Sequence, residues 1–194
     1  MTSTLLLASN SPRRRELLSA AGFEFESVAP EVAERFDLDL TLREITALNA
    51  TRKGMSIARL QPGRVVLAAD TLVAIDGEII GKPNDLRDAA RILRRLSGKI
   101  HEVCSSVFVC HLARRRSIMF YELSRVRFRR LHQAQIESYL AKVNPLDKAG
   151  AYAAQGQGAE IIEEIEGSYS NVVGLPMERT IEVLAQFGVK PKRA

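Results

Sequence analysis

Apolar and polar positions along this chain follow two periods, and the period changes at short turn signals. Leu5 to Ala8 is an unbroken apolar run of strand length. Pro12 to Ala21 has helical spacing and is closed by Gly22, the residue type favoured past a helix end. Phe23 to Val28 alternates as a second strand, and Thr41 to Arg59 returns to helical spacing through Leu42, Ile45, Leu48 and Ile57. Val65 to Ala69 is a β-rich run expected to stop at Asp70-Thr71. Leu72 to Ile75 and Glu78 to Ile80 flank Asp76-Gly77, a hairpin signal. Asp85 to Leu96 reads as a helix stopped by Ser97-Gly98. Two long strands are expected over His101 to Leu112 and Ser117 to Phe128, with the basic stretch Ala113 to Arg116 as their turn. Gln133 to Lys142 reads as a helix, Glu160 to Ile165 as a strand and Gly167 to Leu175 as a loop. Pro176 to Phe187 reads as the last helix, with proline suited to its first turn. Alternating helices and strands, without repeat or linker, predict an α/β fold with a central mixed twisted sheet flanked by helices.

Composition narrows the class. The 194 residues are 46% apolar, spread along the whole length, which fits one compact domain or two closely packed lobes and excludes long disorder. No apolar run approaches the roughly 18 residues of a membrane span. The start of the chain lacks the charged region and cleavage site of a signal peptide, so a cytoplasmic protein is expected and a membrane is not. Cys104 and Cys110, six apart in one strand, face the same side but lie too far apart along it for a direct bridge, so both are expected as reduced thiols.

The 28 basic and 23 acidic residues leave a net charge of +5. Such an excess suits nucleic acid or a small, multiply charged ligand such as a nucleotide. The arginine groups at 91–95, 114–116 and 125–130 lack the interleaved aromatics of a base-stacking platform. Nucleic acid is therefore not expected as a partner.

The densest chemistry lies at Ser9-Asn10-Ser11-Pro12-Arg13-Arg14-Arg15, where a strand feeds a helix. Cations in a first helical turn oppose the macrodipole, and an anion bound between free amides and guanidinium groups resolves the conflict. Phosphate is the obvious anion. The plainer reading is a Ser N-cap followed by solvated arginines, and the Walker pattern is absent. Asp70 ends a buried run, where a carboxylate is costly unless it binds a cation or handles a proton; the alternative is a turn aspartate. Lys82, in Gly81-Lys82-Pro83, is a point charge suited to phosphate or simply a turn lysine. Glu31 and Glu34 could join a magnesium site or lie on the surface, and Lys53 sits within a helix. Gln155, in the glycine- and alanine-rich stretch Gly150 to Gly158, carries donors and an acceptor that suit a base edge or a water. The histidines have no metal-ligand spacing, and no serine-histidine-aspartate set is evident.

Together these segments resemble the Maf family of nucleoside triphosphate pyrophosphatases over nearly the whole length. The resemblance is carried, in order, by Leu7-Ala8-Ser9-x-Ser11-Pro12-Arg13-Arg14, Ala69-Asp70-Thr71, Gly81-Lys82-Pro83, Ser97-Gly98-x-x-His101, Asp147 to Tyr152, Gln155-Gly156 and Gly167-Ser168-Tyr169-x-Asn171 to Pro176. It implies a single Maf-like domain over residues 1–194, two lobes around a cleft, similar to inosine triphosphate pyrophosphatases. It also implies a divalent magnesium or manganese ion and hydrolysis of a nucleoside triphosphate to monophosphate and pyrophosphate.

By the resemblance Asp70 is the proton acceptor and, with Glu34, a metal ligand. Ser9, Ser11, Arg14, Lys53 and Lys82 bind phosphate. Arg13, Thr71 and Gln155 match the positions that mark preference for dTTP and UTP over 7-methyl-GTP, with modified pyrimidine nucleotides as further substrates. A homodimer is one assembly open to such a chain. Ala33, Arg52 and Asn144 stand where the family commonly has acidic residues, and Ser105 where it has threonine, which thins the carboxylates available to a metal. Two other readings stand beside this one. One is a non-catalytic nucleotide-binding regulator of cell division; the other is a pyrophosphatase for 7-methyl-GTP or other modified or damaged nucleotides.

Overall fold

The computed structural model describes residues 5–36 and 39–192. The chain runs β1 (Leu5–Ala8), α1 (Pro12–Ala20), β2 (Phe25–Val28), α2 (Leu42–Leu60), β3 (Val65–Ile75), β4 (Glu78–Ile80) and α3 (Leu86–Leu96). It continues through β5 (Ile100–His111), β6 (Arg116–Phe128), α4 (Gln133–Lys142), α5 (Gly158–Ile161), β7 (Ile162–Glu166), α6 (Tyr169–Val173) and α7 (Met177–Gln186). Among the described residues the strands form one mixed sheet in the order β2-β1-β3-β5-β6-β7, with β4 beside β3. β1 is parallel to β2 and β3, whereas β4 runs antiparallel to β3 and β7 antiparallel to β6. The expected α/β class, a mixed sheet with flanking helices, is what forms. No helix among the described residues is long and apolar enough to cross a membrane.

The chain divides into two compact units, one of residues up to 70 with 105–122 and 174 onward, the other of 71–104 and 123–173. In the first unit the sheet is covered on both faces. Leu5, Leu7, Leu67, Val107 and Val109 pack with Leu18 of α1 and with Val183 and Leu184 of α7. Their neighbours of opposite parity, Leu6, Ala8, Val66, Ala68 and Phe108, pack with Ala50, Ile57 and Ala58 of α2. Successive strand residues point to opposite faces, so a strand covered twice reads as a continuous apolar run. That is why Leu5 to Ala8 and Val65 to Ala69 show no alternation.

α2 is held at both levels that matter for the site. Its start carries a capping box: Glu44 N donates to Thr41 Oγ1 (3.3 Å) and Thr41 N to Glu44 Oε2 (2.9 Å), a motif whose loss typically costs about 1 kcal/mol. Further along, Gly54 lets the helix approach the sheet. A Cβ there would lie 2.5 Å from Phe108 Cδ1 and 3.3 Å from Ala68 Cβ.

In the second unit Ala89, Leu93 and Leu96 of α3 and Ile136 and Tyr139 of α4 pack on Val73, Ile75, Val103 and Val126. Beside them His101, Phe128 and Tyr152 meet edge to face, with centroids 4.9–5.4 Å apart, and His101 Nε2 shares a 2.8 Å hydrogen bond with Tyr152 Oη. Both cysteines are buried, and burial pushes the Cys110 thiol up to about 11.

Several boundaries differ from expectation. β3 does not stop at Asp70-Thr71 but runs to Ile75, because the carboxylate finds partners inside the fold and leaves the strand's backbone pairing undisturbed. β7 begins at Ile162, after a single helical turn over Gly158–Ile161. Tyr169–Val173 is a short helix within the expected loop. Pro176 caps α7 from outside its first turn.

The buried imidazole makes acid sensitivity testable. Burial lowers His101 from 6.5 to about 4, so between those values the unfolded chain binds the extra proton and folding stability rises with pH. Acidification through that window should remove up to about 3 kcal/mol. Denaturant unfolding at pH 7, 6 and 5 should show this slope, and His101→Gln should flatten it.

Candidate active site

The site begins where β1 ends. Ser9 is 3% exposed, and its hydroxyl accepts from the Ser11 amide (3.1 Å) and from Arg14 Nη1 (3.3 Å). Arg14 Nε donates to the Gly174 carbonyl at 2.9 Å, so the guanidinium is clamped just inside α1. Ser11 stands at the N-cap position but its side chain makes no capping bond, Pro12 occupies the first turn, and no acidic residue lies there. Ser11 therefore does not act as an ordinary serine cap. Arg14 is buried, and burial lowers its pKa against the opposing pull of Asp70 and Glu34; Arg13 is close enough to push the same way as burial.

Strand parity places the second half of the site. Asp70 shares parity with Val66 and Ala68, whose face of β3 is covered by α2. Lys53 Nζ lies 2.5 Å from Asp70 Oδ1 and 2.7 Å from Glu34 Oε1. Asn49, one helical turn before Lys53, donates from Nδ2 to Asp70 Oδ2 at 3.3 Å. Asp70 is 3% exposed. Burial raises its pKa, and Glu34 adds to the rise, while Lys53 and Arg14 oppose it.

The structure thus brings Ser9, Arg14, Glu34, Lys53 and Asp70 into one charged cluster of the first unit, with Arg13 half-buried at its edge. Glu31 is exposed on the same loop as Glu34. Thr71, Lys82 and Gln155 belong to the second unit. There Lys82 is exposed, Thr71 and Gln155 are half-buried, and the Gly150 amide donates to the Gly81 carbonyl at 3.1 Å. That bond ties the lysine turn to the segment leading to Gln155. Asn49 escaped sequence reasoning. Its signal was a polar residue four before Lys53 on the stripe that also holds Ala50 and Ile57 at the core.

Magnesium and manganese take hard oxygen donors and commonly use one or two carboxylates, leaving the remaining positions to phosphate and water. Asp70 and Glu34 meet that description, and Lys53 Nζ already sits between them as a positive charge. Among the described residues no group of three or more His, Cys, Asp or Glu could hold a metal. Two carboxylates fit such an ion, whose remaining positions would fall to phosphate and water.

The first strand of this α/β sheet leads into a clamped arginine, and its central strand buries a carboxylate against a lysine, so opposite charges meet in one cluster. The Maf-like protein family matches residues 4–187, and the chain belongs to the Maf family. The dTTP/UTP pyrophosphatase of Bacillus pumilus is 45% identical over 96% of this chain and 98% of its own. Those of Dictyoglomus turgidum (42%, over 97% and 98%) and Geotalea uraniireducens (45%, over 96% and 96%) are similar to it over comparable lengths. Among solved structures, the Staphylococcus aureus Ham1 protein covers 95% of this chain, with 97% of its own length, at 14% identity and a TM-score of 0.48.

Removing Lys53 should expose what it balances. Lys53→Met removes the ammonium that bonds both carboxylates and leaves only the more distant field of Arg14, a loss of about 3–5 kcal/mol at neutral pH. Without the lysine the Asp70 pKa rises further, so the native state holds its proton where the unfolded state releases it. Stability should then recover as pH falls toward the ordinary aspartate value of 3.8. Urea unfolding of the variant at pH 7.5 and 5 would reveal the reversal.

Proposed function

We propose that this protein hydrolyses dTTP and UTP to the nucleoside monophosphate and pyrophosphate. The observation that carries the reading is Asp70: a buried carboxylate with a raised pKa, within the field of Arg14 and the loop that follows β1. Its support is the family membership and the relatives named dTTP/UTP pyrophosphatase, which match this chain end to end at 42–45% identity.

The residues act as follows. The α1 amides, Ser9, Ser11, Arg13 and Arg14 receive the triphosphate, and by the family pattern Lys82 is a further phosphate-binding residue. Asp70 accepts a proton from the attacking water, whose oxygen bonds to the α-phosphorus. The bond from that phosphorus to the bridging oxygen breaks, and pyrophosphate leaves. Lys53 keeps Asp70 in its ionised form between turnovers. A magnesium or manganese ion held by Asp70 and Glu34 would neutralise charge on the phosphates. Thr71 and Gln155 read the pyrimidine edge, where a mismatched base leaves buried polar groups unpaired. Most of the rate comes from position and charge stabilisation, as in phosphoryl transfer generally. We assign the reaction to the cytoplasm, where nucleoside triphosphates are made and used.

Three measurements test the reading together. In a nucleotide panel with pyrophosphate detection, dTTP and UTP should lead, and a preference for 7-methyl-GTP would overturn the substrate assignment. Asp70→Asn should lower kcat by about 10²–10⁴, the usual worth of a positioned base. In the wild type, kcat/KM should rise with pH through a limb above 3.8, since only the ionised carboxylate accepts the proton. A limb at or below that value would remove Asp70 from the role.

A further inference from the structure

Asn49 lies in the middle of α2, is 1% exposed, and uses three of its side-chain hydrogen-bonding positions. Its amide pairs with the backbone of Arg35: Arg35 N donates to Oδ1 at 2.9 Å, and Nδ2 donates to the Arg35 carbonyl at 3.0 Å. Oxygen and nitrogen of a side-chain amide are assigned from such networks, and here the backbone leaves one choice. A peptide N–H must meet the oxygen and a peptide carbonyl the nitrogen. The second hydrogen on Nδ2 is thereby aimed away from the loop, and the atom it meets is Asp70 Oδ2, 3.3 Å away.

α2 therefore holds both carboxylate oxygens of Asp70, with Lys53 on Oδ1 and Asn49 on Oδ2. The two donors differ in kind. The ammonium has three hydrogens on a flexible stem and also bonds Glu34. It supplies charge and leaves the plane of the carboxylate free to turn. The amide is planar and pinned by two backbone bonds, so it defines a direction.

We infer that Asn49 is a positioning residue for the hydrolytic step: it fixes the plane of the Asp70 carboxylate and, through Arg35, ties the loop that carries Glu34 to the same helix. This rests on the reading of Asp70 as the proton acceptor. The consequence is kinetic. A carboxylate free to turn about its last bond still leaves the triphosphate pocket of Ser9 and Arg14 intact, so substrate binds as before while proton transfer slows. Partners that orient a functional group commonly contribute 10–100-fold.

Two substitutions separate orientation from packing. Asn49→Leu keeps the volume and removes all three bonds. Asn49→Asp keeps an acceptor for Arg35 N–H and removes both Nδ2 donors, to the Arg35 carbonyl and to Asp70. Both should lower kcat on dTTP by about 10–100-fold with KM within twofold, and both should bind a non-hydrolysable dTTP analogue with the Kd of the wild type. A kcat within twofold of wild type in folded Asn49→Asp would overturn the inference, since turnover would then need neither Nδ2 bond. A rise in KM or Kd at unchanged kcat would also overturn it, moving Asn49 to substrate binding. Failure of both variants to fold by circular dichroism would assign the residue to stability alone. Asp70→Asn, run in parallel, keeps the two ideas apart: wild-type turnover there removes the proton acceptor itself, whatever Asn49 does.

Discussion

A carboxylate in the interior of a sheet is the constraint on which this structure turns. Asp70 interrupts the apolar run of β3 on the face covered by α2, and desolvation alone would strip its charge. Lys53 answers it at 2.5 Å and reaches Glu34 with the same ammonium, while Arg14 adds its field from α1. Removing Lys53 leaves the buried carboxylate without its direct counterpart, which costs more than the pair itself contributes. The cluster is a balance of two acids and two bases, closed enough to shift Asp70 upward, with Glu34 and Arg13 half-buried at its edge.

The rest of the first unit keeps these groups in register. Covering the sheet on both faces commits α1 and α7 to one parity of strand residues and α2 to the other. The glycine at 54 lowers α2 onto Phe108, and the Thr41–Glu44 box fixes where its first turn starts. One helical turn then separates Asn49 from Lys53, so two donors of different geometry arrive at one carboxylate from a single rigid element. A site supported this way is set by packing that has no chemical role of its own.

In the second unit Thr71 lies on β3, while Lys82 and Gln155 lie in loops whose rigidity has another origin. Gly150 and Ala151 both take positive φ, at 75° and 62°, and a Cβ at Gly150 would meet Val73 and the Tyr152 ring. Ala153 N donates to Tyr139 Oη at 3.0 Å, and Tyr152 is bonded to His101. Backbone held in an unfavourable region by so many partners is a feature of sites where shape is used. The small residues between Gly150 and Gly158 are what this packing admits.

Much of this was legible in the chain. The strand-to-helix step at Ser9 to Arg14, the solitary Asp70 after an apolar run, and the order of the family motifs all lie within short windows, where periodicity and residue type decide. Continuation of β3 through Asp70 was not, because a buried acid reads as the end of a strand until its partners are known. Nor was the role of Asn49. By itself the sequence determined the α/β class, the helix and strand order and the family, since these follow from local pattern and contiguous motif. Only the tertiary structure decided which charges meet: Lys53 and Asp70 are 17 residues apart, Asn49 and Asp70 are 21. The face a strand residue points to, and the helix that covers that face, exist only once the sheet has closed.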